Sequence, residues 1–361
     1  MLPFAFSIVF YDFFQKIIWV LNILIPIFPS DLVFFFQQDR MIFAFLKLSA
    51  ILGDLGIAYF LFRFSKRYAK ERVLDIAIPA LYLFNPVVFY LSSNWGQIES
   101  LPLAFGLGAF FYLFEKRPRA SIIFLALSLL SKQTAIIFFP VYGIVFLKSF
   151  GVKRSFLALG GLILIFWATY LPFGFINPVE TILFYKQTFS YVSDRVQENA
   201  FNLWMLIFGF EKPFDRQIFL GIPLKFWGYI LFFLFSLPVF FTTFKKPQTK
   251  TTTLILGYLV LAAFLFLTRM HERYLAFSLP FLLLSVLFFR KMILVYILVS
   301  LTHFINLYNG FFQPSIKILD SLLLNINFIR FIVLINFSSF LALLINVARE
   351  TKVKVGKNAK V

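Results

Sequence analysis

The sequence predicts an all-α protein, a polytopic bundle of transmembrane helices, and three observations carry that prediction. The 361 residues are 61% hydrophobic and 14% charged, with a mean hydropathy of +0.88, so apolar runs of spanning length recur from end to end. Runs such as 157–173 and 226–241 are apolar on every side, which excludes the period-two alternation of a barrel. Basic residues gather in short loops and the tail, as in a chain that returns repeatedly to one side of a bilayer. Residues 1–361 therefore read as a single integral membrane domain. The 56 phenylalanines read as lipid-facing bulk, and the absence of cysteine excludes disulfides and thiol chemistry.

Taken in order, residues 1–40 read as an outer interfacial segment. Within it Tyr11, Asp12, Gln15, Lys16, Trp19 and Asn22 fall largely along one face of residues 4–28, which suits a helix lying in the interface or lining a groove. About nine full spans follow. Residues 41–63 run inward, 73–92 outward, 101–114 inward, 156–173 outward, 226–243 inward, 253–267 outward, 275–289 inward, 292–307 outward and 326–347 inward. Residues 121–147 do not fit two full spans, because 121–131 rises only about 16 Å against a hydrocarbon core of about 30 Å. A hairpin of short helices is expected there, its tip at Ser131-Lys132-Gln133 inside the membrane region.

The formal net charge of +18 invites a nucleic-acid reading, but its distribution argues against one. Arg63, Lys66, Arg67, Lys70 and Arg72 share one loop, Lys116, Arg117 and Arg119 another, Lys148, Lys153 and Arg154 a third. Lys245, Lys246 and Lys250, then Arg290 and Lys291, and finally the tail 348–361 continue the series. The positive-inside rule puts these loops and the carboxyl end in the cytoplasm, where solvated loops account for the charge. No nucleic-acid partner is expected.

With that threading every polar island falls on the outer side: 94–100, the Lys132 tip, the long outer loop 174–225, 268–274 and 308–325. A single cavity needs its polar groups on one side, whereas unrelated surface loops would scatter them. Between two apolar runs, 268–274 packs Arg269, His271, Glu272 and Arg273 together. Charges at the end of a span are retained where they serve a site. They either grip a phosphate, or form an interfacial cluster in which Glu272 pairs with Arg269 or Arg273 and the arginines snorkel. Lys132, beside Gln133, is likewise either a phosphate ligand at a half-helix start or a snorkelling lysine.

In the island 94–100, Asn85-Pro86 interrupts the preceding span, Gly96 permits a tight turn and Pro102 sits in the first turn of the next span. Glu99, beside Trp95 and Gln97, is a general base, a sugar-hydroxyl acceptor, or an exposed acid at a helix N-terminus with Trp95 as an interface anchor. In the long loop, Asn199, Asn202 and Trp204 suit a sugar, since amides bond hydroxyls and an indole covers a pyranose face. The alternative is a helix lying in the interface. Asp54, near the middle of its span, reads as a bond between neighbouring helices.

The order Asn85-Pro86, Trp95-Gly96-Gln97-Ile98-Glu99, Ser131-Lys132-Gln133, Asn199-Ala-Phe-Asn-Leu-Trp204 and Arg269-Met-His-Glu-Arg-Tyr274 resembles bacterial members of the GT-C membrane glycosyltransferases. Among these it is most similar to relatives of the GPI-anchor second mannosyltransferase, over roughly residues 35–310. The resemblance implies a polyprenyl-phosphate sugar donor, with mannose as the sugar. It also implies inverting transfer to a lipid or glycan acceptor on the extracytoplasmic face of the plasma (inner) membrane. It places the usual catalytic acid in the first outer loop, after an initial span. This chain begins inside that loop, so it is expected to lack the first span or to use Asp12, Asp31, Asp39 or Glu99 instead.

In physical terms a carboxylate takes the acceptor proton, the transition state is oxocarbenium-like and the lipid phosphate leaves. Arg269, His271, Arg273 and Lys132 are the groups expected to stabilise that leaving charge. No carboxylate cluster has metal-ligand spacing, so neither a metal nor a cofactor is expected, the lipid-linked sugar being a co-substrate. Two other classes compete. A lipid or glycan transporter would share the hairpin and the anion site but should show internal repeats, of which inspection finds none. A non-catalytic membrane scaffold is the third reading.

Overall fold

The structure is a computed structural model, and it describes residues 2–188 and 193–352. Residues 189–192 of the long loop and 353–361 of the expected basic tail lie outside the described residues. The architecture is helical throughout. In chain order the helices are α1 (Leu2–Leu24), α2 (Ser30–Phe36), α3 (Asp39–Tyr68), α4 (Val73–Leu83), α5 (Pro86–Phe89), α6 (Ser100–Phe114), α7 (Pro118–Ser131) and α8 (Phe139–Tyr170). They continue with α9 (Pro178–Thr188), α10 (Leu203–Phe208), α11 (Leu224–Lys245), α12 (Thr249–Phe266), α13 (Leu279–Val286), α14 (Met292–Phe311), α15 (Lys317–Leu323) and α16 (Ile326–Lys352).

Among the described residues, seven helices are long and apolar enough to cross a membrane, or eight if the bent α4 and α5 pair counts as one span. The protein is a multi-pass membrane protein. The remaining expected spans are shorter for identifiable reasons. α6 has 15 residues, a rise of about 22 Å. Where 275–289 was expected to cross, a 3-10 turn, Glu272–Ser278, leads into α13, which has eight residues and is enclosed by protein over nearly all of them. Such irregular backbone is tolerated at depth because protein, not lipid, surrounds it.

The hairpin expected at 121–147 is present in outline. α7 stops after 14 residues, Lys132 takes an extended conformation, and a 3-10 turn, Gln133–Phe138, leads into α8. α8 itself is broken at Gly151, whose φ of 80° and ψ of 173° leave the helical region. Where an interfacial helix was expected, α1 is continuous, and its stretch Ser7–Leu24 is long and apolar enough to cross a membrane. Its aromatic contacts, Phe10, Tyr11 and Phe14 around Phe45, lie at the N-terminal end of α3.

α12 is the central helix, buried along nearly its whole length and packed by α11, α13 and α16. Phenylalanine serves both surfaces. Phe233 and Phe241 project outward, while Phe110, Phe138 and Phe281 meet edge to face in the core, an arrangement favoured by the ring quadrupole.

Contacts between distant segments sort the loops into two ends. At the basic end Arg67 pairs with Glu115, Arg290 with Glu71 and Lys250 with Glu350, and Thr249 bonds Tyr68. At the other, the site end, Lys132 and Arg273 meet Glu99, Asn94 bonds the carbonyl of Gln313 and Asn306 bonds that of Asn199.

Candidate functional site

The site end is assembled by four short irregular segments, each produced by local chemistry. Asn85 caps α5 through its side chain at 3.0 Å from Val87 N, and a π-helical turn, Tyr90–Trp95, then ends at Gly96 in the left-handed region, φ 81°. Lys47 of α3 donates to the carbonyls of Ser93 and Asn94 at 3.0 and 2.9 Å, fixing the loop that delivers Glu99 to the start of α6. Gln97 is half-buried there, its backbone N–H bonded to Leu91 O at 2.9 Å. Trp95 stacks on Phe311 with ring centroids 5.1 Å apart. The second segment is the Lys132 tip, with Gln133 half-buried beside it.

Two strands supply the rest. Gln197–Glu198 and Met270–His271 pair in parallel, with Glu198 opposite His271, and Arg269 N donates to Val196 O at 3.0 Å. The long loop is therefore stitched to the 268–274 run through its backbone.

The centre is a carboxylate beneath two cations. Glu99 is 0% exposed, whereas Lys132 and Arg273 are each 20% exposed. Lys132 Nζ donates to Glu99 Oε1, and Arg273 Nε lies 3.0 Å from the same oxygen. Arg273 Nη1 also donates to Glu272 Oε1 at 3.1 Å, so Glu272 pairs with the arginine that follows it. Both cations face the Tyr274 ring, 5.9 Å for Lys132 and 5.5 Å for Arg273, within cation–π range. Gly310 lets α14 close on this group. A Cβ there would come within 2.9 Å of Glu272 Cγ and 3.0 Å of Trp95 Cη2.

Electrostatics follow from burial and neighbours. Burial, then the charges of Arg273 and Lys132, hold His271 down at about 4 from an ordinary value of 6.5, so the imidazole is neutral at pH 7. Burial pushes Glu272 up, against the pull of Arg273. Burial opposes the Arg273 charge, but Glu99 and Glu272 outweigh it and leave the guanidinium above its ordinary value.

The expected residues do not all come together. Glu99, Lys132, Arg273, Glu272 and His271 come together, with Trp95, Gln97 and Gln133 at their flanks. Arg269 is turned away. Its φ is +62° and its Nε contacts Asp215 Oδ2 at 2.6 Å, so it ties the long loop down. Asn202 and Trp204 are buried, and the fold uses their polar atoms. Asn202 caps α10 by accepting from Trp204 N and Met205 N, and Trp204 Nε1 donates to the carbonyls of Phe266 and Leu267.

Asn199 sits between these groups. Its side chain accepts from Lys212 at 2.7 Å, and its carbonyl accepts from Asn306 at 2.6 Å. Asp12, Asp31 and Asp39 are exposed. Among the described residues, no group of three or more His, Cys, Asp or Glu is placed to hold a metal.

Sequence reasoning missed Lys212, Asp215, Asn306 and Gly310. Asn306 had a signal, because Thr302, His303 and Asn306 place polar groups at helical spacing inside an otherwise apolar span. Lys212 and Asp215 had none. No protein-family model matches the chain, and no curated protein matches it.

Proposed function

We propose that this protein is a membrane glycosyltransferase of the GT-C kind, moving a sugar from a polyprenyl-phosphate donor to a lipid or glycan acceptor at the site end. The observation that supports this reading is the layering of charge. Buried Glu99 and Glu272 hold Lys132 and Arg273 in place, and both cations remain partly exposed. Fixed donors aimed at one spot stabilise a developing anion without reorganising, and a guanidinium fork matches phosphate geometry.

A second feature agrees. An apolar groove of about 240 Å³ lies beside the Lys132 tip, between Leu129 and Ile136 on one wall and Phe166, Trp167 and Ile182 on the other. A phosphate held at Lys132 would place its lipid tail there. In this reading the donor C1–O bond breaks with its electron pair leaving on the phosphate, the acceptor oxygen bonds C1 from the opposite face, and the acceptor proton passes to a carboxylate.

Glu99, enclosed and bound by two cations, is a positioning residue. Asp39 is the exposed acid suited to the base role. It shares a helix face with Phe43 and Lys47, at i, i+4 and i+8, and lies about 12 Å along α3 from the lysine that anchors the Glu99 loop. By the positive-inside rule the basic end is cytoplasmic and the site end extracytoplasmic, in the plasma (inner) membrane.

The test is transfer from labelled polyprenyl-phosphate mannose to lipid acceptors by the full chain in nanodiscs. Transfer is expected, with Asp39→Asn lowering turnover by about a hundredfold or more while donor binding persists. Donor binding without transfer to any acceptor would remove the enzyme reading and keep the anion site.

A further inference from the structure

The hairpin that leads into α11 carries a surface the charged cluster does not use. Strands Ile218–Phe219 and Ile222–Pro223 pair antiparallel, joined by a two-residue turn in which both residues have positive φ, 47° at Leu220 and 85° at Gly221. Such turns favour Asn, Asp or Gly, and a bulky side chain in the left-handed region is strained. Leu220 thus goes against its local backbone. It is also 76% exposed, next to Ile218 at 69% and Phe219 at 43%. Three consecutive large apolar side chains at a loop tip are left uncovered by the fold, and water is a poor medium for them.

Their setting indicates what covers them. Trp227 Nε1 donates to Phe219 O at 2.8 Å, pinning the hairpin to the first turn of α11. α11 is long and apolar enough to cross a membrane, and Phe226, Ile230, Phe233 and Leu237 project outward from it along one side. The hairpin therefore adjoins the end of a lipid-facing row. Arg216 and Lys225 flank it, each near an aromatic ring, Phe214 at 4.7 Å and Phe226 at 5.4 Å. Among the described residues neither cation forms an ion pair. Unpaired cations and aromatic rings around an apolar tip match the layers of a bilayer surface.

We propose that the 216–225 hairpin is a wedge for anionic phospholipid. Ile218, Phe219 and Leu220 enter the acyl boundary of the leaflet at the site end, and Arg216 and Lys225 bind lipid phosphates above them. Burial of Leu220 in hydrocarbon offsets the strain of its turn. Asp215, which begins this segment and contacts Arg269, carries the anchorage to the 268–274 run. This assignment is independent of the transferase reading.

The chain has no cysteine, so Leu220→Cys accepts a single nitroxide label, read by electron paramagnetic resonance in phosphatidylglycerol nanodiscs that each hold one copy of the full chain. The label is expected to collide more with oxygen than with a water-soluble nickel chelate, as one at Phe233→Cys should, whereas one at Glu211→Cys should show the reverse. A label at 220 as open to the chelate as that at 211 would overturn the proposal. So would one shielded from both reagents, since protein would then cover the hairpin. Lipid retained through purification tests the charge. Wild type should keep phosphatidylglycerol in preference to phosphatidylcholine, and Arg216→Gln combined with Lys225→Gln should lower that preference about tenfold. Equal retention of the two lipids by wild type, or a preference unmoved by the double substitution, would overturn it equally.

Discussion

At the basic end Arg290 meets Glu71 with 80% of the arginine and 53% of the glutamate side chain exposed; at the site end Glu99 is 0% exposed beneath Lys132 and Arg273. The residue types are the same, and solvent makes the difference. An exposed pair is screened and loses side-chain entropy for little gain. A buried carboxylate fixes its cations, because separating them would strand a charge out of water. The basic end is thus a solvated rim, and the site end is a fixed array of donors.

The largest effect that would sharpen this contrast is at Glu99. Glu99→Gln leaves Lys132 and Arg273 without their shared anion and should destabilise the fold by about 3 kcal/mol or more, read as a loss in denaturant-unfolding free energy. A change below about 1 kcal/mol would put Glu99 with the surface pairs.

A smaller effect is pH-dependent. Because His271 is held at about 4 against an ordinary 6.5, the unfolded chain binds a proton in that window that the folded chain refuses. Its contribution to stability is full above pH 6.5 and is lost as pH falls toward 4. Glu272, pushed up by burial, has the opposite sign over the carboxylate range. Substituting His271→Gln should therefore flatten the fall in Tm between pH 6.5 and 4, and an unchanged slope would place His271 in ordinary solvent.

Least of all is expected from Arg290→Ala, which should alter stability by no more than about 0.5 kcal/mol. A larger loss would show that the basic end is also a fixed array.

Much of this contrast was legible in the sequence, and the reasons can be traced to particular residues. Charge placement along the chain separated Arg67, Lys250 and Arg290 from 94–100, 131–133 and 268–274 without any coordinates, because alternation across a bilayer is a one-dimensional property. The Glu272–Arg273 pair was among the readings, since neighbours in sequence need no fold to meet. The partners of Lys132 and Arg269 were not legible. Glu99 and Asp215 lie 33 and 54 residues away from them, and only tertiary packing chooses between such acids. Residues 275–289 carried the composition of a span, and composition does not distinguish a helix facing lipid from one enclosed by protein. Asn202 and Trp204 had the chemistry of sugar ligands, but the same amide and indole N–H groups cap and anchor a buried loop equally well.

The central claim is that Lys132 and Arg273 grip the phosphate of a lipid-linked sugar. Its most direct test is equilibrium binding of labelled polyprenyl-phosphate mannose to the full chain in nanodiscs, comparing wild type, Arg273→Ala and Arg290→Ala. Loss of one charge-assisted contact predicts affinity lower by about tenfold to a hundredfold for Arg273→Ala and unchanged for Arg290→Ala. Equal affinity in all three proteins would contradict the account.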